Sequence, residues 1–276
     1  MRCEIRHTTE YHYPEPAWDS FNEVRLHPMQ EVRQTLRSFH LDVTPEAQIS
    51  SHRDYFGSLV HHVHVHEAHR HLRIEAQAMV DTHPITLPLP APLSVIDGQV
   101  RRQHMEFLVP CPRVPRGDWP EVFGVTRPGP DDDLPDFLLD LNGFLHDKFV
   151  YDGKATTVNT PLAEFAQHGR GVCQDFTQAM LGILRQLGIP ARYVSGYLYN
   201  GGGMLGADAT HAWVEALIPG YGWLGYDPTN DCLAGEKHIK IGHGREYSDV
   251  SPVRGTYYGG GKGRMNVAVH VYSPQV

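Results

Sequence analysis

A hydrophobic period of two, running from Arg2 to about Thr82, constrains the fold more than any other feature of this sequence. The segments CEIRHTTEYHY, NEVRLHPM, TLRSFHLDV, LVHHVHVHEAH and LRIEAQAMV alternate polar and apolar residues or are rich in β-branched ones. Successive side chains of a strand leave opposite faces, so this pattern gives one apolar and one wettable face as a strand and neither as a helix. Turn residues divide the runs, which predicts an antiparallel sheet or a small sandwich over residues 1–83. HPITLPLPAPLS follows, with Pro84, Pro88, Pro90 and Pro92 close together, and VPCPRVPRGDWP comes soon after. Proline lacks a ladder N–H and fixes φ, so residues 84–130 read as an irregular, partly extended connection.

The period then changes. LPDFLLDLNGFLHDKF places Phe137, Leu141, Phe144 and Leu145 on one helical face, and Thr160 before Pro161 suits a helix start. GVCQDFTQAMLGILRQLGIPARYV is the clearest element. Phe176, Met180, Ile183, Leu184 and Leu187 form an apolar stripe, Gly188 suits the helix end and Pro190 lies beyond it. Strand-like pieces follow in ARYVSGYLY, HAWVEALI, GWLGYDPT and NVAVHVYS. The expected fold is α+β: an N-terminal β-sandwich-like domain, then an α/β domain over 131–276 with its core at 149–230 and a C-terminal β extension.

Bulk properties narrow the function. The chain has a formal charge of −8, with 41 % hydrophobic and 20 % charged residues. Such a chain can bury a core, and it lacks the clustered Lys and Arg of a nucleic-acid or anionic-membrane surface. No charged-then-apolar leader opens the sequence and no apolar run approaches a membrane span, so a cytoplasmic protein with no membrane or nucleic-acid partner is expected. Cys3, Cys111, Cys173 and Cys232 are scattered, which gives neither a zinc pattern nor a disulfide framework.

One cysteine has a setting with chemical meaning. Cys173 follows Gly169 and Gly171 and opens the strongest helix. Unpaired N–H groups and the partial positive charge of a helix N-terminus favour the thiolate, which is the nucleophile, and can face a developing oxyanion. Asp175, in the same first turn, opposes part of that effect. In HAWVEALIPGYGWLGYDPT, His211 opens one strand and Asp227 ends the next, with PGYG as the turn between them. Neighbouring antiparallel strands can bring the two together, as a base for the thiol and a group that orients the base.

The segments GVCQDF, GIPARYVSGYL, HAWVEALIPGYGW and YDPTN resemble the core of the transglutaminase-like cysteine-enzyme superfamily. FGSLVHHVHV with LRIEAQAMV, and HIKIGHGREYSDVSPVRGTYYGGG, resemble the N-terminal β domain and C-terminal extension of its bacterial members. The resemblance implies a papain-like core in which a thiolate attacks an amide carbonyl and an acyl-enzyme passes to water or an amine. It carries over Cys173 as nucleophile, His211 as base and acid, and Asp227 as orienter. The expected activity is that of a peptidase or amidase acting on a peptide, small amide or protein, without cofactor or metal. Transfer to an amine and a catalytically silent binding module are the alternatives.

Around this triad, Asp208, Trp213 and Gln167 are candidates for lining the substrate, with Gln167 or Tyr151 as an oxyanion donor. Asp208 belongs to the glycine-rich NGGGMLGAD, expected to form a loop at the mouth of the site. Trp213 and Trp223 also suit core packing, and Arg245 and Tyr247 are further candidates near the cleft. Asp131, Asp132 and Asp133 read as solvated charge at a helix entry. His62, His64 and His66 alternate onto one face, with His61 on the other; the row is read as a solvated hairpin face and no metal is assigned to it.

Overall fold

The computed structural model describes residues 1–201, 203–207 and 209–273. In chain order its elements are β1 (Arg2–Val24), β2 (Gln34–Thr44), β3 (Gln48–Arg53), β4 (Leu59–Val65), β5 (His69–Thr82), α1 (Gly98–Gln103), α2 (Trp119–Phe123), α3 (Leu134–Lys148), β6 (Val150–Tyr151), α4 (Leu162–His168), β7 (Arg170–Gly171) and α5 (Cys173–Gln186). They continue with β8 (Ala191–Leu198), β9 (His211–Ile218), β10 (Gly222–Asp227), β11 (Cys232–Leu233), β12 (His238–Gly244), β13 (Val253–Gly259) and β14 (Arg264–Tyr272). The fold is mixed α+β.

The alternating N-terminal runs form one antiparallel sheet, ordered β2-β5-β1-β4-β3, with β13 and β14 also paired to β1. The first half of β1 lies between β5 and β14, and residues 21–24 lie between β4 and β13. Between the halves stand Pro14, Pro16 and Asp19, the last at φ 45°, and the register slips there on both sides. Proline breaks the ladder and bulges bend a strand, so the sheet folds on itself at this point. Val63 and Val65 of β4 then share a core with Leu72 and Ile74 of β5 and with Phe39 and Leu41 of β2. The sandwich-like character thus comes from a single bent sheet.

The C-terminal extension is shared between the two parts: β12 pairs with β8 of the α/β core, whereas β13 and β14 run along the edge of β1 that β4 and β5 leave open. The proline-rich connection is shorter than expected. Residues 83–91 have no regular structure, but Ile96, Val114, Trp119 and Phe123 are buried in the core of the α/β part.

That part is built on α5, which packs against β8 and β9 and is also touched by α2, α3 and α4. Every residue from Gln174 to Arg185 is buried, so the predicted stripe lies on a helix enclosed all round. On α3 the buried set is Leu134, Pro135, Leu138, Leu141, Asn142 and Leu145; Phe144 is exposed and lies under Lys148 instead. The helix at 162–168 starts one residue later than expected, with Pro161 as its N-cap and Thr160 accepting from the Thr157 N–H. The second sheet is β11-β10-β9-β8-β12, antiparallel throughout.

The two parts are joined by an apolar seam and by polar contacts. Cys3, Ile5, Ala78 and Val80 pack on Tyr197, Ile239 and Ile241. Gln34, 2 % exposed, gives its amide N–H to the Lys240 carbonyl and accepts the Lys240 N–H. Lys240 Nζ reaches Glu215 at 2.8 Å, and Arg192 reaches the same carboxylate at 2.6 Å.

Candidate active site

Cys173 is the first residue of α5, with Val172 as extended N-cap. The Asp175 carboxylate turns back to accept the Val172 N–H at 2.8 Å and the Thr156 hydroxyl at 2.6 Å, so this charge caps the helix. Burial raises the Asp175 pKa, and the two donors offset only part of the rise. Gly171 makes the close turn feasible: a Cβ there would sit 2.5 Å from Asp175 Oδ2 and 2.9 Å from the Phe165 ring. Within an α-helix the first N–H groups have no partner carbonyl, so those at Cys173 and Gln174 are free of the helix ladder beside the sulfur.

His211 opens β9 and Asp227 closes β10, and the hairpin between them pairs Tyr226 with Val214 and Gly222 with Ile218. His211 Nε2 donates to Asp227 Oδ2 at 2.8 Å, with both side chains at 0 % exposure. This leaves Nδ1 as the nitrogen that can face a thiol, and it has no well-formed hydrogen bond among the described residues. Burial, the largest single effect on His211, lowers its pKa. The charges of Asp227 and Cys173 and the hydrogen bond to Asp227 more than offset this and raise it to about 10. Cys173, His211 and Asp227 are therefore brought together in one interacting set.

Asp227 is held from five directions. His211, His238 Nε2 at 3.1 Å and Asn230 Nδ2 at 2.8 Å address Oδ2, while the N–H groups of Thr229 and Asn230 address Oδ1 at 3.0 and 3.3 Å. Burial alone would raise its pKa, but His211 and His238 hold it well below the usual carboxylate range. His238 was not foreseen. It lies eleven residues beyond Asp227 on β12, two strands removed from β9, and its burial lowers its own pKa, so it donates from a neutral ring. No local sequence pattern marks such a pairing.

The other expected residues fall in different places. Trp213 is 2 % exposed, stacks on His211 at 6.3 Å between ring centroids and meets His238 edge-on at 5.2 Å. It is a packing residue beneath the pair, not an open platform. Trp223 is half-buried, with Arg192 over its ring and Phe107 against it. Gln167 is exposed on α4, with no hydrogen bond to Cys173 or His211 among the described residues. Asp208 lies outside the described residues. The loop before His211 does reach the site: at Gly206, φ 81°, a Cβ would lie 2.7 Å from His211 Nδ1 and 3.5 Å from the Tyr151 hydroxyl. Asn230 ties this loop to Asp227 by accepting the Leu205 N–H at 2.7 Å. Tyr247 packs against Tyr193, whose hydroxyl is raised by burial and, in smaller part, by the charge of Cys173. Arg245 pairs with Asp249.

Asp133 caps α3 through the Asp136 N–H, and Asp132 accepts from Gly129 in the preceding turn. In the histidine row, Val63 and Val65 point inward and His62, His64 and His66 outward, while His61 turns inward against Phe39.

Known proteins match this arrangement. Residues 3–81 match the family described as bacterial transglutaminase-like N-terminal region, and residues 124–228 match the transglutaminase-like superfamily. An uncharacterised protein of Mycobacterium tuberculosis is 33 % identical over 284 residues, covering 93 % of this chain and 88 % of that protein. The chain belongs to the transglutaminase-like superfamily. Within it, an uncharacterised protein of Mycobacterium leprae is 32 % identical over 281 residues, with 98 % of each chain covered. A protein-glutamine gamma-glutamyltransferase of Pseudomonas aeruginosa is 39 % identical over 100 residues, covering 32 % of this chain and 14 % of that protein. The fold matches that of a candidate cysteine protease from Cytophaga hutchinsonii at a TM-score of 0.76 and 23 % identity, covering 99 % of this transglutaminase-like chain and 91 % of the other. Among the described residues no helix is long and apolar enough to cross a membrane.

Proposed function

We propose that this transglutaminase-like protein is a cysteine peptidase or amidase that cleaves an amide bond through Cys173, His211 and Asp227. The observation that supports the reading is the fully buried His211–Asp227 pair, whose imidazole also feels the charge of the cysteine at a helix N-terminus. His211 takes the thiol proton, the sulfur attacks the amide carbon, and the carbonyl oxygen becomes an oxyanion beside the N–H groups that open α5. His211 then returns the proton to the leaving amine, and the carbonyl carbon stays on sulfur as a thioester. Water, activated by the same imidazole, releases the acid and restores the thiol. Asp227 holds the ring tautomer and stabilises the imidazolium, and His238 and Asn230 hold Asp227. The substrate is a peptide or amide, and the four free thiols suit a reducing cytoplasm.

A second reading, transfer of the acyl group to an amine, draws on the likeness to the Pseudomonas aeruginosa gamma-glutamyltransferase. Both readings are tested by incubating the full chain with a library of peptide amides, with and without a fluorescent primary amine, and weighing the products. Free acid in both arms supports hydrolysis, and labelled acyl product in the second arm supports transfer. No thioester and no product from any substrate would favour a silent binding module.

A further inference from the structure

The bend of β1 carries a cluster that the triad does not use. Asp19 sits there in the left-handed region, at φ 45°, inside the register slip between Trp18 and Phe21. A bulge re-aims a side chain, and here it turns the Asp19 carboxylate over the outward face of β4. One oxygen, Oδ1, lies 3.5 Å from His64 Nε2 and is hydrogen-bonded by His66 Nδ1. His64 Nε2 is enclosed and has no hydrogen-bond partner among the described residues. Phe21 stacks on the His64 ring at 3.9 Å between centroids and 13° between planes, which fixes the direction of that nitrogen.

We propose that Asp19, His64 and His66 form a site for a divalent transition metal of the zinc class, which clasps β1 to β4 where the sheet folds. The ligand atoms lie within 4.8 Å of one another. Metal–ligand distances of about 2.0–2.2 Å in a tetrahedron put ligand atoms about 3.3–3.5 Å apart, which the Asp19–His64 pair already matches. His66, 80 % exposed, is free to draw back by the small distance that a shared ion requires, and a water completes the set. Two imidazoles and one carboxylate suit zinc, copper or nickel and not calcium or magnesium. The neighbouring group of Glu10, His12 and His71 is a weaker match, since Glu10 also faces Arg73 at 3.8 Å.

The test uses the full chain without a histidine tag, stripped with a chelator and titrated with Co²⁺ and then with competing Zn²⁺. The expected result is one equivalent of Co²⁺ with the visible bands of tetrahedral nitrogen–oxygen coordination and no thiolate charge-transfer band. Asp19→Asn and His64→Gln should each weaken Zn²⁺ about tenfold or more, while His62→Gln and Cys232→Ser leave it unchanged. Circular dichroism of each variant checks that the sheet is intact. Binding that survives both ligand substitutions, a thiolate band lost with Cys173→Ser or Cys232→Ser, or no stoichiometric binding would each overturn the proposal.

Discussion

Asp227 shows how much a single carboxylate can organise. Five donors converge on it, and two are imidazoles that differ in charge. His211 is pushed toward protonation by the carboxylate and the cysteine, whereas burial lowers the pKa of His238. Asp227→Asn removes the charge and one acceptor while keeping the shape, and it should lower turnover of any peptide amide by about 10²- to 10⁴-fold. His238→Gln leaves the other four donors in place and should cost about tenfold. Steady-state kinetics on the substrate found in the product screen would check both values. If His238→Gln were as damaging as Asp227→Asn, His238 would have a larger part than holding the carboxylate. The positions of Cys173, His211 and Asp227 were legible in the sequence because each stands at the end of a well-marked element. His238 was not, because its partner is reached across the sheet.

At the scale of elements, α5 and the β9–β10 hairpin carry the site, and both were legible from periodicity and turn chemistry. The burial of polar residues on α5 was not, because a helix that is covered all round has no outward face for a stripe to point away from. The α5 entry is the most sensitive local feature. Gly171→Ala drives a methyl group into the Asp175 carboxylate and the Phe165 ring, so it should loosen the cap and shift Cys173. We expect a loss of about 1–3 kcal/mol in urea unfolding, as for an overpacked core, together with slower alkylation of Cys173. Wild-type stability in this variant would mean that the turn has room to adjust and that the cap does not depend on glycine.

Across the whole molecule, the two parts are locked by a buried ion cluster as well as by the apolar seam. Lys240 spans Glu215 and Glu31, and Arg192 shares Glu215. Burial alone would raise the Glu215 pKa, but Lys240 and Arg192 lower it to about 2. A depressed carboxylate stabilises the fold above its ordinary pKa, near 4.5, and that contribution is lost as pH falls toward 2. His211 acts in the opposite sense: its raised pKa contributes fully below about 6.5 and is lost as pH climbs toward 10. Thermal unfolding followed from pH 3 to 10 should therefore give a plateau that falls away on both sides. In Lys240→Met the acid limb should flatten and stability near neutrality drop by about 3–5 kcal/mol, since a buried carboxylate loses a partner. An unchanged acid limb would show that Glu215 does not set it. The return of β13 and β14 to the N-terminal sheet was hidden in the sequence, because alternation identifies a strand without naming the edge that it joins.

The central claim, an activated Cys173, is tested most directly by alkylation with trace iodoacetamide across pH 5 to 9, mapped by mass spectrometry and repeated in His211→Ala. Burial pushes Cys3 up to about 11 and Cys232 up to about 12, and it also raises Cys111, so all three serve as internal controls. The account predicts selective modification of Cys173 well below the ordinary thiol pKa of about 8.5, lost in the variant. If Cys173 reacted no faster than the other three, or kept its reactivity without His211, the nucleophile–base pair would be contradicted.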